Sequence, residues 1–208
     1  MNYLRDASIN GASLKNITVM SENTISQDSK EFAAAFEEKV HKNLFSFLQM
    51  NDRIDEHVQE CIDVEDCWHE IARSYIQDGA KEFQQYPVVS LGWMMFIGMA
   101  MAKFWDEDWE KYSKERNFYE NIKAKRGYDE LDDAVIIDIL KYEGEGAEKE
   151  GAVVAECASR VYGLLSHEQV EPGTEAAFGC WLSALHQLYL AGMAMELKTL
   201  GYKMTKIS

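Results

Sequence analysis

Proline is scarce in this chain. Only Pro87 and Pro172 occur among 208 residues. Proline removes a helix hydrogen bond and clashes with the preceding turn, so its scarcity leaves room for long helices. Short catalytic signatures are missing too. There is no glycine-rich phosphate loop, no Gly-x-Ser-x-Gly, no His-Glu-x-x-His and no dinucleotide fingerprint. Their absence argues against the common enzyme classes built on those motifs. The four cysteines, Cys61, Cys67, Cys157 and Cys180, include no Cys-x-x-Cys pair, the strongest zinc and redox signature. Residues Met1 to Asn16 show no basic region followed by an apolar core. No signal peptide is therefore expected, and the thiols are expected to be reduced and buried in a cytoplasmic protein.

Positive charge is also in short supply, with 21 Lys and Arg against 36 Asp and Glu, a net charge of −15. Such a surface repels phosphate backbones and anionic lipid headgroups, which disfavours nucleic-acid and membrane partners. It keeps a protein dispersed in water and can steer a partner with a basic surface.

What is present leans helical. Met, Ala, Glu, Lys and Leu are frequent and β-branched runs are few. Residues 1–27, rich in Ser, Asn, Thr and Gly, read as a flexible or extended arm with a weak alternation at Leu14, Ile17 and Val19. Residues 28–208 read as a single helical domain. Asp28 with Glu31 has the spacing of a capping box for a first helix whose apolar stripe is Phe32, Phe36, Val40, Leu44, Phe47 and Leu48. A second stripe runs from Ile54 through Val58, Cys61, Val64, Trp68, Ile71 and Tyr75 to Phe83, as one kinked helix or two. On it Gly79 is expected to admit a neighbouring helix. Gly127 ends the helix before it, and Asp129 can cap a short helix through Leu140. Glu143–Gly151 reads as a hinge, an exposed loop or a frayed helix start.

Two stretches stand apart. Tyr86–Trp105 has no charged residue before Lys103, and Ala176–Met195 has none. Pro87 suits the first turn of one helix and Thr174 can cap the other. A helix apolar on every face is buried in a core or a membrane. His186, Gln187 and Ser183 in the second stretch, and Asp106, Glu107 and Asp108 directly after the first, favour a core. The expected fold is all-α: a compact multi-helix bundle around two central apolar helices. Gly98-Met99-Ala100-Met101 returns as Gly192-Met193-Ala194-Met195, and Leu91 returns as Leu185. This suggests an internal duplication of helical halves, about 28–126 and about 127–208, with the two apolar helices paired near a pseudo-twofold axis.

Candidate sites follow from residue type and spacing. Glu38-x-x-His41 and Asp66-x-x-His69 each place a carboxylate and an imidazole on one helix face, the arrangement of helical metal sites. His57 and Cys61 are four apart and could share a metal. His186 and Gln187 are polar groups in an apolar run, where a perturbed imidazole marks a ligand site or a hydrogen-bonded core histidine. Trp93 and Trp181, among many methionines, could line a pocket for a flat apolar ligand or pack the core. Trp105, Asp106, Glu107, Asp108 and Trp109 form an acid and tryptophan cluster, read as a docking surface or a solvated helix face. The leading functional expectation is a non-catalytic interaction or scaffold protein, self-associating or engaging a basic partner. The second is a helical metal- or small apolar ligand-binding protein, conceivably an enzyme. Nothing in the sequence names a cofactor.

Overall fold

The computed structural model describes residues 26–55 and 62–203. The order is α1 (Gln27–Met50), α2 (Ile62–Gln85), α3 (Pro87–Glu107), the single turn α4 (Trp109–Tyr112), α5 (Phe118–Arg126), α6 (Leu131–Asp133) continuing into a π-helical turn (Ala134–Ile139), α7 (Glu145–His167) and α8 (Glu175–Thr199). No strand occurs among the described residues. The chain is an all-α bundle. The expected arm, save Ser26 and Gln27, lies outside the described residues, as do Val58, the proposed metal pair His57 and Cys61, and Glu60.

α1 starts from Ser26, two residues before the expected cap. The Ser26 hydroxyl accepts the Ser29 backbone N–H at 3.3 Å. Asp28 instead sits in the first turn, where a carboxylate complements the helix dipole. Phe36, Val40, Leu44, Phe45 and Leu48 form the buried face, while Phe32 is exposed. α2 is one unbroken helix over its described span. Gly79 is buried but admits no neighbour, because the space a Cβ would take is filled by the ring of Tyr75, one turn earlier. Tyr75 in turn donates its hydroxyl proton to the Ser90 carbonyl of α3, and Ser90 Oγ donates to the Gly79 carbonyl at 2.9 Å. These bonds pin the turn between α2 and α3.

Pro87 occupies the first turn of α3, where its missing N–H costs nothing. Every residue from Ser90 to Ala102 is buried, because α8, α7, α2 and the α5–π-turn segment all pack on this helix. By length and composition α3 is also able to cross a membrane; here most of it is covered by protein. α8 is its counterpart, capped by the Thr174 hydroxyl and buried at most positions from Cys180 to Leu197. α3 and α8 run in the same direction, and their C-terminal ends are tied by Tyr202, which donates to Asp106 Oδ1 at 2.9 Å.

The crossing of α3 and α8 is reciprocal. A Cβ added at Gly98 would fall on the Tyr189 carbonyl oxygen, and one added at Gly192 would fall on the Met95 carbonyl oxygen. The second contact is the first displaced by the same offset that separates the two Gly-Met-Ala-Met segments. Only glycine allows backbones so close. Gly92 faces Val154 of α7, and Gly179 faces Ala33 of α1.

Three further boundaries take definite form, the last of them the helix start that is one expected alternative for Glu143–Gly151. α3 breaks at Asp108, whose extended backbone (φ −157°, ψ 84°) lets its side chain cap α4. The segment through Leu140 closes as a π turn over Ala134–Ile139. Glu143–Gly151 is mostly the first turns of α7, entered through Gly144 at φ 53°.

Candidate functional site

The two polar residues inside α8 face outward into a seam between three helices. His186 and Gln187 find their partners on α1 and α2. His186 Nδ1 lies 2.7 Å from Glu37 Oε1 of α1, and its Nε2 lies 3.3 Å from Glu65 Oε1 of α2. The Gln187 amide N–H donates to the same Glu37 oxygen at 2.8 Å. The Gln187 carbonyl oxygen lies 2.9 Å from His41 Nδ1, which makes that nitrogen the donor. The result is one hydrogen-bonded line, His41–Gln187–Glu37–His186–Glu65. Ser183 donates to the Ala33 carbonyl at 3.4 Å.

Rings close the seam from below. Trp68 lies 4.8 Å from the His186 ring and 5.6 Å from Tyr189, and His41 stacks on Phe45 at 4.2 Å. Burial would by itself raise the Glu37 carboxyl. Hydrogen bonds from His186 and Gln187, with the charges of His186 and His41, outweigh it and hold Glu37 below its ordinary value. Glu37 is thus an ionised acceptor that fixes both α8 side chains. The line binds α1, α2 and α8 together, and its hydrogen bonds are spent on one another.

The metal candidates are not gathered. Glu38, Asp66 and His69 are exposed, and His41 turns to Gln187. Among the described residues, no group of three or more His, Cys, Asp or Glu side chains is placed to hold a metal ion. The described cysteines, Cys67, Cys157 and Cys180, are free and buried. Burial pushes their thiols up to about 11, 12 and 11, so at neutral pH they are protonated and poor nucleophiles.

Trp93 and Trp181 belong to the core. Trp93 packs edge-on against Tyr128 at 4.4 Å, and Trp181 sits between Phe83 and Phe178 at 5.9 Å from each. The methionines of the two central helices, Met94, Met95, Met99, Met101, Met193 and Met195, are buried with them.

The acid and tryptophan cluster lies at the corner where α3 breaks. Asp106, Glu107, Asp108, Trp109 and Glu110 are all exposed. Trp105 is half-buried, its indole N–H without a hydrogen-bond partner, and it holds Trp109 edge-on at 5.3 Å. The break at Asp108 is what turns Trp109 outward. Had α3 continued, positions 105 and 109 would share a face one turn apart. Trp109 is 53% exposed, the only exposed tryptophan of the five. Two carboxylates here have structural duties: Asp108 caps α4 through Lys111 N (3.1 Å) and Asp106 accepts from Tyr202. Lys103 approaches Asp106 at 3.9 Å and Glu107 at 3.6 Å. Glu110 makes neither a side-chain hydrogen bond nor an ion pair among the described residues.

Sequence reasoning missed one buried group near the same end of the bundle. Glu196, the first charged residue of α8 after the apolar run, is buried, and its Oε2 has no hydrogen-bond partner. Its carboxyl is pushed up to about 7, first by burial. The sequence signal was available: Glu196 continues the buried stripe of Gly192 and Leu185. No family model, curated protein or solved structure matches the chain.

Proposed function

We propose that the chain is a non-catalytic, cytoplasmic interaction protein, and that the corner Trp105–Glu110 docks a basic segment of a partner protein. The observation that carries this reading is Trp109: a 53% exposed indole with the carboxylates of Glu107, Asp108 and Glu110 around it in sequence. An exposed tryptophan beside exposed carboxylates offers a partner both an apolar anchor and complementary charge. Trp105 beneath it is held by the core, so the anchor is mounted on a rigid element. The His41–Gln187–Glu37–His186–Glu65 line supports the same reading from the other side. Its groups satisfy one another and serve as a clamp between helices. The reciprocal seating of Gly98 and Gly192 supports a duplication of helical halves behind this architecture.

The test is affinity capture from an extract of the source cells. The bait is the full chain, the chain with Glu107→Lys and Glu110→Lys, or the chain with Trp109→Ala. None of these side chains caps a helix. The expected outcome is a partner lost with both variants and retained with the distant control Glu145→Lys/Glu148→Lys. A partner set unchanged by the corner variants would remove the corner from consideration.

A further inference from the structure

Directly after the acidic corner the charge reverses. Between Lys111 and Arg126 stand six cationic residues, Lys111, Lys114, Arg116, Lys123, Lys125 and Arg126, against Glu115 and Glu120. In a chain with so large an excess of acid, this is the one dense run of positive charge. The structure divides the six into two groups. Arg116 pairs with Asp63 at 3.3 Å, Lys123 with Asp78 at 2.6 Å and Arg126 with Asp138 at 2.6 Å. These three tie α5 and the loop before it to α2 and to the π turn. Among the described residues, Lys111, Lys114 and Lys125 have no carboxylate partner in an ion pair, and all three line one cleft.

That cleft, of about 490 Å³, lies between α4 and α5 at the end of α3. The volume falls inside the usual range for small-molecule sites, about 300–1,000 Å³. Its apolar lining comes from Phe104, Tyr112 and Ala124, and Asn121 adds an amide. Phe104 and Tyr112 stack at 4.7 Å, and Phe104 stacks on Phe118 at 5.9 Å, so the aromatic wall is fixed by the core. Lys111 reaches across the Tyr112 ring, 4.4 Å from its centroid, and donates to the Tyr112 hydroxyl at 3.0 Å. One carboxylate, Glu115, also lines the cleft. Its oxygen is engaged by the backbone N–H groups of Arg116 and Asn117, each at 2.9 Å, so it serves to brace the loop. Three ammonium groups against this single carboxylate leave a surplus of two positive charges.

We propose that this cleft binds a small phosphate monoester carrying a planar ring, of the size of a nucleoside monophosphate. The surplus of charge matches a phosphate dianion, for which lysines serve as point-charge partners. Phe104 is stacked between Tyr112 and Phe118 and is 6% exposed, so the ring of the ligand packs on the accessible part of Tyr112 and on the Ala124 methyl. Asn121 at the rim is hydrogen-bonded to the Glu115 carboxylate and so helps hold that carboxylate in place. The acidity of the whole chain opposes anions at long range, so binding depends on these three lysines and weakens as salt screens them.

The experiment is a titration of the ¹⁵N-labelled full chain, followed by amide NMR shifts, with phenyl phosphate and adenosine monophosphate as probes. Inorganic phosphate, phenol and adenosine are the separated parts. The expected result is saturable shifts confined to residues 104–125, with both monoesters at least about tenfold tighter than any part. The variant Lys111→Ala/Lys114→Ala/Lys125→Ala alters only exposed side chains and should fold. It is expected to lose at least about tenfold in affinity for both probes. Binding unchanged in that variant, or no saturable shift from either monoester up to about 10 mM, would overturn the site. Inorganic phosphate binding as tightly as the monoesters would overturn the ring-stacking half of the assignment.

Discussion

Replacing Glu196 with glutamine should make the protein more stable, and the gain should depend on pH in a definite way. Glu196 is 3% exposed and one of its oxygens has no hydrogen-bond partner. The charged groups that act on it come from every side: Lys103 and Asp106 of α3, Glu150 of α7 and Arg53 after α1, with Tyr142 close by. Burial is the largest influence and raises the carboxyl. Lys103 and Arg53 oppose it, Glu150 and Asp106 reinforce it, and the value reaches about 7 against an ordinary 4.5. In the unfolded chain Glu196 loses its proton near 4.5, while the folded chain keeps it until about 7. Between those values the folded state binds more protons, so stability falls as pH rises through the window. At about 1.4 kcal/mol for each tenfold change in proton affinity, the loss is about 3 kcal/mol once pH exceeds 7. Glutamine has the same shape and no charge, but its amide must find a partner, at a cost of about 1 kcal/mol. The Glu196→Gln protein should therefore be about 2 kcal/mol more stable at pH 8 and no more stable than the parent at pH 5. Urea unfolding followed by tryptophan fluorescence, run in parallel on both proteins from pH 5 to 8, reads the difference directly. Other titrating groups cancel in it. A difference that does not change with pH, or a variant weaker at pH 8, would refute the reasoning.

At the helix crossing, Gly98→Ala and Gly192→Ala should each cost about 3 kcal/mol, because the new methyl group meets a carbonyl oxygen held by the opposite helix. The two losses should be similar, since the contacts are reciprocal. Gly163→Ala, on α7 with open space around it, should raise stability by up to about 1 kcal/mol; thermal melting compares the three. His186→Ala should lower stability by about 2 kcal/mol at pH 7, by leaving Glu37 short of a partner in a half-buried seam. Glu37 is depressed by that bond, so its contribution is present above pH 4.5 and lost as pH falls through the lower folded value. The gap between parent and variant should close in acid, as checked by the same unfolding assay below pH 4.5. Ser90→Ala should cost about 1 kcal/mol by removing the buried hydrogen bond from Ser90 Oγ to the Gly79 carbonyl, and it should loosen the α2–α3 turn in amide exchange.

Much of this fold was legible because its signals are local. Pro87, Thr174 and the two charge-free runs mark α3 and α8 without reference to anything distant. The repeated Gly-Met-Ala-Met marks where they cross, since two glycines at a shared offset are what a close, symmetric crossing requires. His186 and Gln187 stood out as polar residues in an apolar run. Their partners did not, because Glu37 and Glu65 are separated from His186 by 149 and 121 residues. Only packing decides which of many surface carboxylates meets them. The tryptophans show the same division. Trp105 and Trp109 were readable as a pair, yet their different exposure depends on the break at Asp108, a choice between continuing a helix and capping a new one. The lysine cleft was hidden by an average. The chain's overall acidity obscured a basic segment that a shorter window would have found, and which lysines remain unpaired is again a matter of tertiary contact.

The central claim is that partners dock at the corner Trp105–Glu110. Amide hydrogen exchange on the captured complex, compared with the free chain, tests it most directly. The account predicts slowed exchange in residues 105–112 on binding, with the outer face of α7 unchanged. Protection along the α1–α8 seam around His186, with 105–112 exchanging as in the free chain, would contradict it.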